Sequence, residues 1–161
     1  MDVEGELALL HDTWRSGIPL TEAMNLAPLR FADETLTVAA ELAPNVNVHG
    51  TAFAGSLYAV AALAGWGLIQ LALRRAGIDG SIVIAEGRIR YLLPVRARIV
   101  ATCSMPAGVL AAGLSGLAGP AGKARFPLHA QIEAGNDVGV RFEGVYAVQR
   151  LSTGSPRTNP E

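Results

Sequence analysis

A single cysteine, Cys103, stands in 161 residues, so no intramolecular disulfide can form, which fits a reducing compartment. It lies in an apolar, strand-like run, where a buried inert thiol is expected rather than a nucleophile. Charge is scarce as well. Asp, Glu, Lys and Arg make up 17% of the chain, against about one quarter in an average globular protein. The chain is therefore short of solvated surface, which points to surface hidden in an oligomer, with a membrane as the alternative. The formal net charge of -1 leaves no overall basic field for nucleic acid. The acidic stretch Met1-Asp2-Val3-Glu4-Gly5-Glu6 lacks the basic-then-apolar build of a signal peptide, so the cytoplasm is the expected location. No His/Cys/acid cluster suggests a metal, and no cofactor is expected.

From Thr51 to Leu73 no residue is charged, and Arg74-Arg75 with Gly77 closes the stretch as a helix C-terminal signal. Leu57, Tyr58, Val60, Leu63, Trp66, Leu68, Ile69 and Leu71 leave it no polar side. Such a helix is either a membrane span or the buried axis of a folded domain. Roughly 20 apolar residues suffice to cross a bilayer. Yet much of the stretch is Ala and Gly, which contribute little to insertion. Gln70 would also need a partner in lipid. A soluble domain built around this helix is expected, with no span.

Around it the sequence reads as strands and short helices. Residues 4–14 form a helix with Leu7, Leu10 and Trp14 on one face, and Pro19 opens a short turn with Leu20, Ala23 and Met24 on one face. Strands follow at 26–31 and 35–42, joined by Asp33 and Glu34. In the second strand Leu36, Val38 and Ala40 share a face. Residues 81–93 alternate, with Val83, Ala85, Ile89, Tyr91 and Leu93 on one face and Glu86, Arg88 and Arg90 on the other. Gly87 marks a bulge or a close backbone approach. A strand at 96–104 is followed by a short helix from Pro106 to Leu117. Strands at 126–134 and 138–151 form a hairpin over Gly135-Asn136-Asp137. Residues 1–151 thus make one α+β domain, and 152–161 a polar tail expected to be disordered. Antiparallel strands wrapped on one long helix describe the hotdog fold.

The block Asn45-Val46-Asn47-Val48-His49-Gly50-Thr51-Ala52-Phe53-Ala54-Gly55-Ser56-Leu57-Tyr58 resembles the helix opening of YiiD-type hotdog thioesterases. Gly65-Trp66-Gly67, Ile84-Ala85-Glu86 and Ile89-Arg90-Tyr91-Leu92-Leu93-Pro94 resemble the same family, over about residues 10–150. The resemblance implies hydrolysis of an acyl thioester, on coenzyme A or an acyl carrier protein, at the helix start of a homodimer or dimer of dimers. Coenzyme A then enters as part of the substrate. The block is also similar to phenylacetate-type thioesterases at Asn47, Gly50 and Gly55. Phe53 stands where that group has His, and Ala62 where it often has a catalytic Asp.

Thioester hydrolysis needs a polarised carbonyl and an activated water or a nucleophile. Unpaired N–H groups of a helix start supply the first. Gly55 would let a carbonyl approach, or simply allow tight packing, and Ser56 offers the next N–H. Asn47 is a water-orienting group or a turn residue. His49 is a base, a coenzyme contact or a bystander, and Gly50, Thr51 and Tyr58 complete the expected lining. Glu86 would act on the helix start of a partner subunit, or pair with Arg88 or Arg90. Those arginines would meet coenzyme A phosphates or remain solvated. A Ser56–His49 pair lacks an orienting acid. The glycine spacing of residues 50–56 lacks the Lys of a phosphate loop. An acyl thioesterase is the first expectation, and a non-catalytic acyl-ligand or partner-binding domain the second. A hydratase is disfavoured, because no His/Asp pair marks the helix start. Pairing of two copies through residues 81–93 is the expected contact.

Overall fold

A computed structural model describes residues 2–151, and the expectation for the tail at 152–161 lies outside them. The elements run α1 (Val3–Gly17), α2 (Leu20–Ala23), β1 (Leu26–Ala32), β2 (Thr35–Ala40), α3 (Ala54–Arg75), β3 (Gly80–Tyr91), β4 (Ile99–Ser104), α4 (Val109–Ala118), β5 (Lys123–Ala134) and β6 (Asp137–Arg150). Six strands form one antiparallel sheet in the order β1-β2-β4-β5-β6-β3, with β1 and β3 at the edges. Its inner face packs on α3, which is the hotdog arrangement.

Local chemistry explains most boundaries. Asp2 caps α1 by accepting the Gly5 N–H at 2.9 Å, and Glu4 and Glu6 favour its positive end. Leu10 and Trp14 then pack fully buried against α3. Asp33 and Glu34 both take left-handed φ values, 49° and 54°, as a two-residue hairpin turn requires. Along β5, Phe126, Leu128, Ala130 and Ile132 are buried in strict alternation, as the sequence predicts.

By length and composition α3 could cross a membrane, but Leu57, Val60, Ala61, Ala64, Leu68, Ile69 and Leu71 are buried in the core. Three bare positions decide how closely its neighbours approach. A Cβ at Gly67 would overlap Trp14 and Leu36, and one at Gly65 would overlap the Tyr146 hydroxyl. On β3, a Cβ at Gly87 would overlap the Tyr58 hydroxyl, which settles Gly87 as a close-approach position.

Several expectations need correction. In α2 the buried side chains are Thr21, with Met24 just beyond, while Leu20 is 59% exposed and Ala23 is exposed too. Thr21 satisfies its hydroxyl locally on the Ile18 carbonyl at 2.8 Å, so burial costs it little. β2 ends at Ala40, and a 3-10 turn over Ala43–Asn45 follows. Residues 96–98 stay outside β4, and α4 starts only at Val109, after Gly108 in a left-handed conformation. The largest difference is in β3. Its register with β6 slips between Ile84 and Glu86, so the facing reverses midway. Ile82, not Val83, enters the core; Val83 is 56% exposed and Ala85 is exposed, whereas Ile89 still packs against the core.

Candidate functional site

The loop before α3 is built on two asparagines. Asn45 is buried, and its amide donates to the Met24 and Glu41 carbonyls at 2.8 and 2.7 Å. Its own carbonyl accepts the Phe53 N–H at 2.7 Å, fixing where the helix begins. The Asn47 side-chain oxygen accepts the N–H groups of His49 and Thr51 at 2.8 and 3.2 Å. Its amide donates to the Thr51 hydroxyl at 2.9 Å. Asn47 therefore spends its side chain on the turn, the structural one of its two roles. Gly50 holds φ at 72°, where only glycine is unstrained. The Ala52 N–H reaches the Val95 carbonyl at 2.8 Å and ties the loop to the segment after β3.

Phe53 is the N-cap of α3 and supplies no side-chain hydrogen bond. The first bond inside the helix runs from the Leu57 N–H to the Phe53 carbonyl. The N–H groups of Ala54, Gly55 and Ser56 therefore have no intrahelical acceptor. Ala54 and Gly55 are exposed and Ser56 is half-buried, so the first turn of the helix lies at the surface. The dipole of a 22-residue helix adds to their pull on negative charge. Gly55 does not relieve packing against the sheet: what a Cβ there would overlap is the ring of Phe53.

All three tyrosines of the chain close on the first turns of this helix. The Tyr91 hydroxyl donates to the Ala54 carbonyl at 2.9 Å, and that of Tyr146 to the Ala62 carbonyl at 2.7 Å. Tyr58 stacks edge-on against Phe142, its hydroxyl over Gly87, with no hydrogen-bond partner among the described residues. Burial, with Tyr58 beside it, raises the Tyr91 phenol. Burial raises that of Tyr146 further, helped by Cys103 and Tyr58. Both stay protonated donors. Burial also pushes the Cys103 thiol up to about 12, so it is inert as expected. The helix opening thus holds Gly55, Ser56 and Tyr58 together, with Thr51 buried in the loop beneath. Phe53, Tyr91 and Tyr146 are not among the site residues expected from sequence. Phe53 directly before a helix start, where a capping Ser, Thr, Asp or Asn is usual, was the readable signal.

Other candidates lie elsewhere. Glu86, Arg88 and Arg90 share a face as expected, and it is the outer face of the sheet, on the side away from α3. Glu86 pairs with Arg125 at 3.4 Å, correcting the expected pairing with Arg88 or Arg90. Arg88 stands opposite Glu143 on β6, and Arg90 opposite Arg141, two like charges side by side. His49 is exposed and forms no hydrogen bond with Ser56.

Comparison with known proteins agrees with this geometry. Residues 7–150 match the family described as "Putative thioesterase (yiiD_Cterm)". A Shewanella oneidensis protein described as a putative thioesterase is 37% identical, with a TM-score of 0.82 over 90% of this chain and 98% of that one. A Chlorobaculum tepidum protein of unknown function is 32% identical, with a TM-score of 0.83 over 89% and 94%. A Pseudomonas aeruginosa protein described as a probable thioesterase shares the fold at 19% identity, with a TM-score of 0.76 over 89% and 95%. With nearly the whole described chain inside that match, the protein belongs to the YiiD C-terminal thioesterase-like family.

Proposed function

We propose that the protein hydrolyses a small-molecule acyl thioester, carried on coenzyme A or on an acyl carrier protein, at the start of α3. One observation carries the reading. The N–H groups of Ala54, Gly55 and Ser56, with no acceptor among the described residues, lie together at an exposed helix start. An oxyanion forming on the thioester carbonyl would be held by these donors. Water activation falls to His49 in the adjoining loop, or to Glu86 of a second copy. The outer-face position of Glu86 favours His49. Arg88 and Arg90 share that outer face, so they would meet the phosphates of coenzyme A bound to a second copy; neither forms an ion pair among the described residues. The assembly is a homodimer, or a dimer of dimers, joined along the free edge of β3, with no metal or cofactor taking part.

A thiol-release assay over acyl-coenzyme A chains of graded length tests this. Saturable release by the pure protein is expected. The non-catalytic reading has its own support, since Ala62 supplies no helix carboxylate and Glu86 is engaged by Arg125. Saturable binding of a coenzyme A thioether without any turnover on the matching thioester would decide for that reading.

A further inference from the structure

The ring of Phe53 occupies the ground over Gly55. It overlaps the place where any other residue's Cβ would sit, and the three nearest atoms given for that point all belong to this ring. Phe53 is 54% exposed, a poor position for a phenyl group whose only purpose is burial. It is also the N-cap, and its backbone (φ -67°, ψ 134°) is the usual extended cap conformation. A Ser, Thr, Asp or Asn there would fill one of the open N–H groups with its own oxygen. Phenylalanine keeps those donors free of a side-chain acceptor and screens one side of them with hydrocarbon.

We infer that Phe53 determines which acyl groups reach the helix start. The inference rests on the thioester reading above and deepens it. Cβ atoms of a helix tilt toward its N-terminus, so the ring on the Cβ side of Gly55 stands at the mouth the carbonyl must enter. Admission of a thioester turns the ring aside, and the displaced ring then flanks the first carbons of the acyl chain. Acyl groups long enough to touch it gain by that contact, and acetyl gains nothing.

The test combines S-hexyl-coenzyme A, a thioether that cannot be hydrolysed, with NMR of the Gly55 resonances. In the free protein these carry a ring-current shift, defined as the difference from Phe53→Leu. Saturation with the thioether is expected to abolish that difference. In parallel, Phe53→Ala should lower kcat/KM for hexanoyl- relative to acetyl-coenzyme A by about 10-fold or more, as loss of a few methylene contacts does. Circular dichroism should match wild type for both variants. If the thioether binds while Gly55 keeps its ring-current shift, or if the substrate ratio stays within about twofold, Phe53 is not the selecting residue. If no thioether binds and no thioester is cleaved, the underlying reading fails, and the selection by Phe53 falls with it.

Discussion

Gly55→Val should fold and lose most turnover. The new side chain meets the half-exposed ring of Phe53 instead of the sheet, so the ring can give way while the methyl groups block the donors. Normal circular dichroism with normal turnover would remove Gly55 from the site. Asn47→Ala should cost both stability and rate, by about 1–3 kcal/mol, because it strands the N–H groups of His49 and Thr51. Asn47→Asp keeps that acceptor and should recover much of the stability, which urea titration would show. For water activation, the pH–rate profile is the arbiter. A limb that disappears in His49→Ala assigns the base to His49; one that disappears in Glu86→Gln assigns it to Glu86. If Glu86 serves only Arg125, Glu86→Gln should spare the rate and change stability by ~0–1 kcal/mol, as exposed pairs do. At this scale the sequence showed the helix opening through Gly55, Ser56 and Tyr58, which lie together. It could not show that Asn47 is consumed by its own loop, because an Asn before a helix has the same pattern whether it binds water or backbone.

The helix at the centre illustrates how one element sets its neighbours' distances. Gly65-Trp66-Gly67 is a packing device in three parts. Gly65 admits Tyr146, Gly67 admits Trp14 and Leu36, and the Trp66 indole N–H donates to the Ile82 carbonyl of β3 at 3.1 Å. Gly65→Ala should destabilise by about 1–3 kcal/mol, since the added methyl drives the Tyr146 hydroxyl off the Ala62 carbonyl. Tyr146→Phe in the same background should recover only a small part of that loss in thermal unfolding, because the hydroxyl is gone but the ring carbons still overlap the new methyl. Arg75 at the other end of α3 clasps Glu6 at 2.7 and 2.9 Å and lies over the Phe31 ring. Arg75's hydrogen bonds hold the Glu6 carboxyl below its ordinary value of 4.5. The pair's stabilisation is therefore full above that value and lost as pH falls through the lower folded one. Glu6→Gln should thus be less stable than wild type at neutral pH, with the gap closing in urea titrations as pH falls through the lowered folded value. Among the strands, β5 was legible because its burial alternates without a break. β3 was legible only in its second half. A bulge inserts a residue without leaving any compositional mark, so Val83 and Ala85 read as core when they are surface.

As a whole molecule, the fold follows from one fact of composition. The uncharged stretch needs cover, and the sheet that packs on the 22-residue α3 supplies it. Charge scarcity predicts the next level, an assembly that hides β3, and sedimentation at micromolar concentration should show at least a dimer. A stable soluble monomer would argue against it. The same strand has a further consequence for the life of the chain outside that assembly. Ahead of its bulge β3 runs from Gly80 to Ala85 without a charged residue or a Pro, while Glu86, Arg88 and Arg90 guard the rest of the strand. Such an edge is a template on which any extended chain can add, the geometry from which fibrils and precipitates grow. The proposed pairing with a second copy would therefore also be a form of quality control. A variant that breaks this pairing should not yield a well-behaved single subunit; it should turn cloudy on mild warming, with light scattering rising before any loss of helix signal.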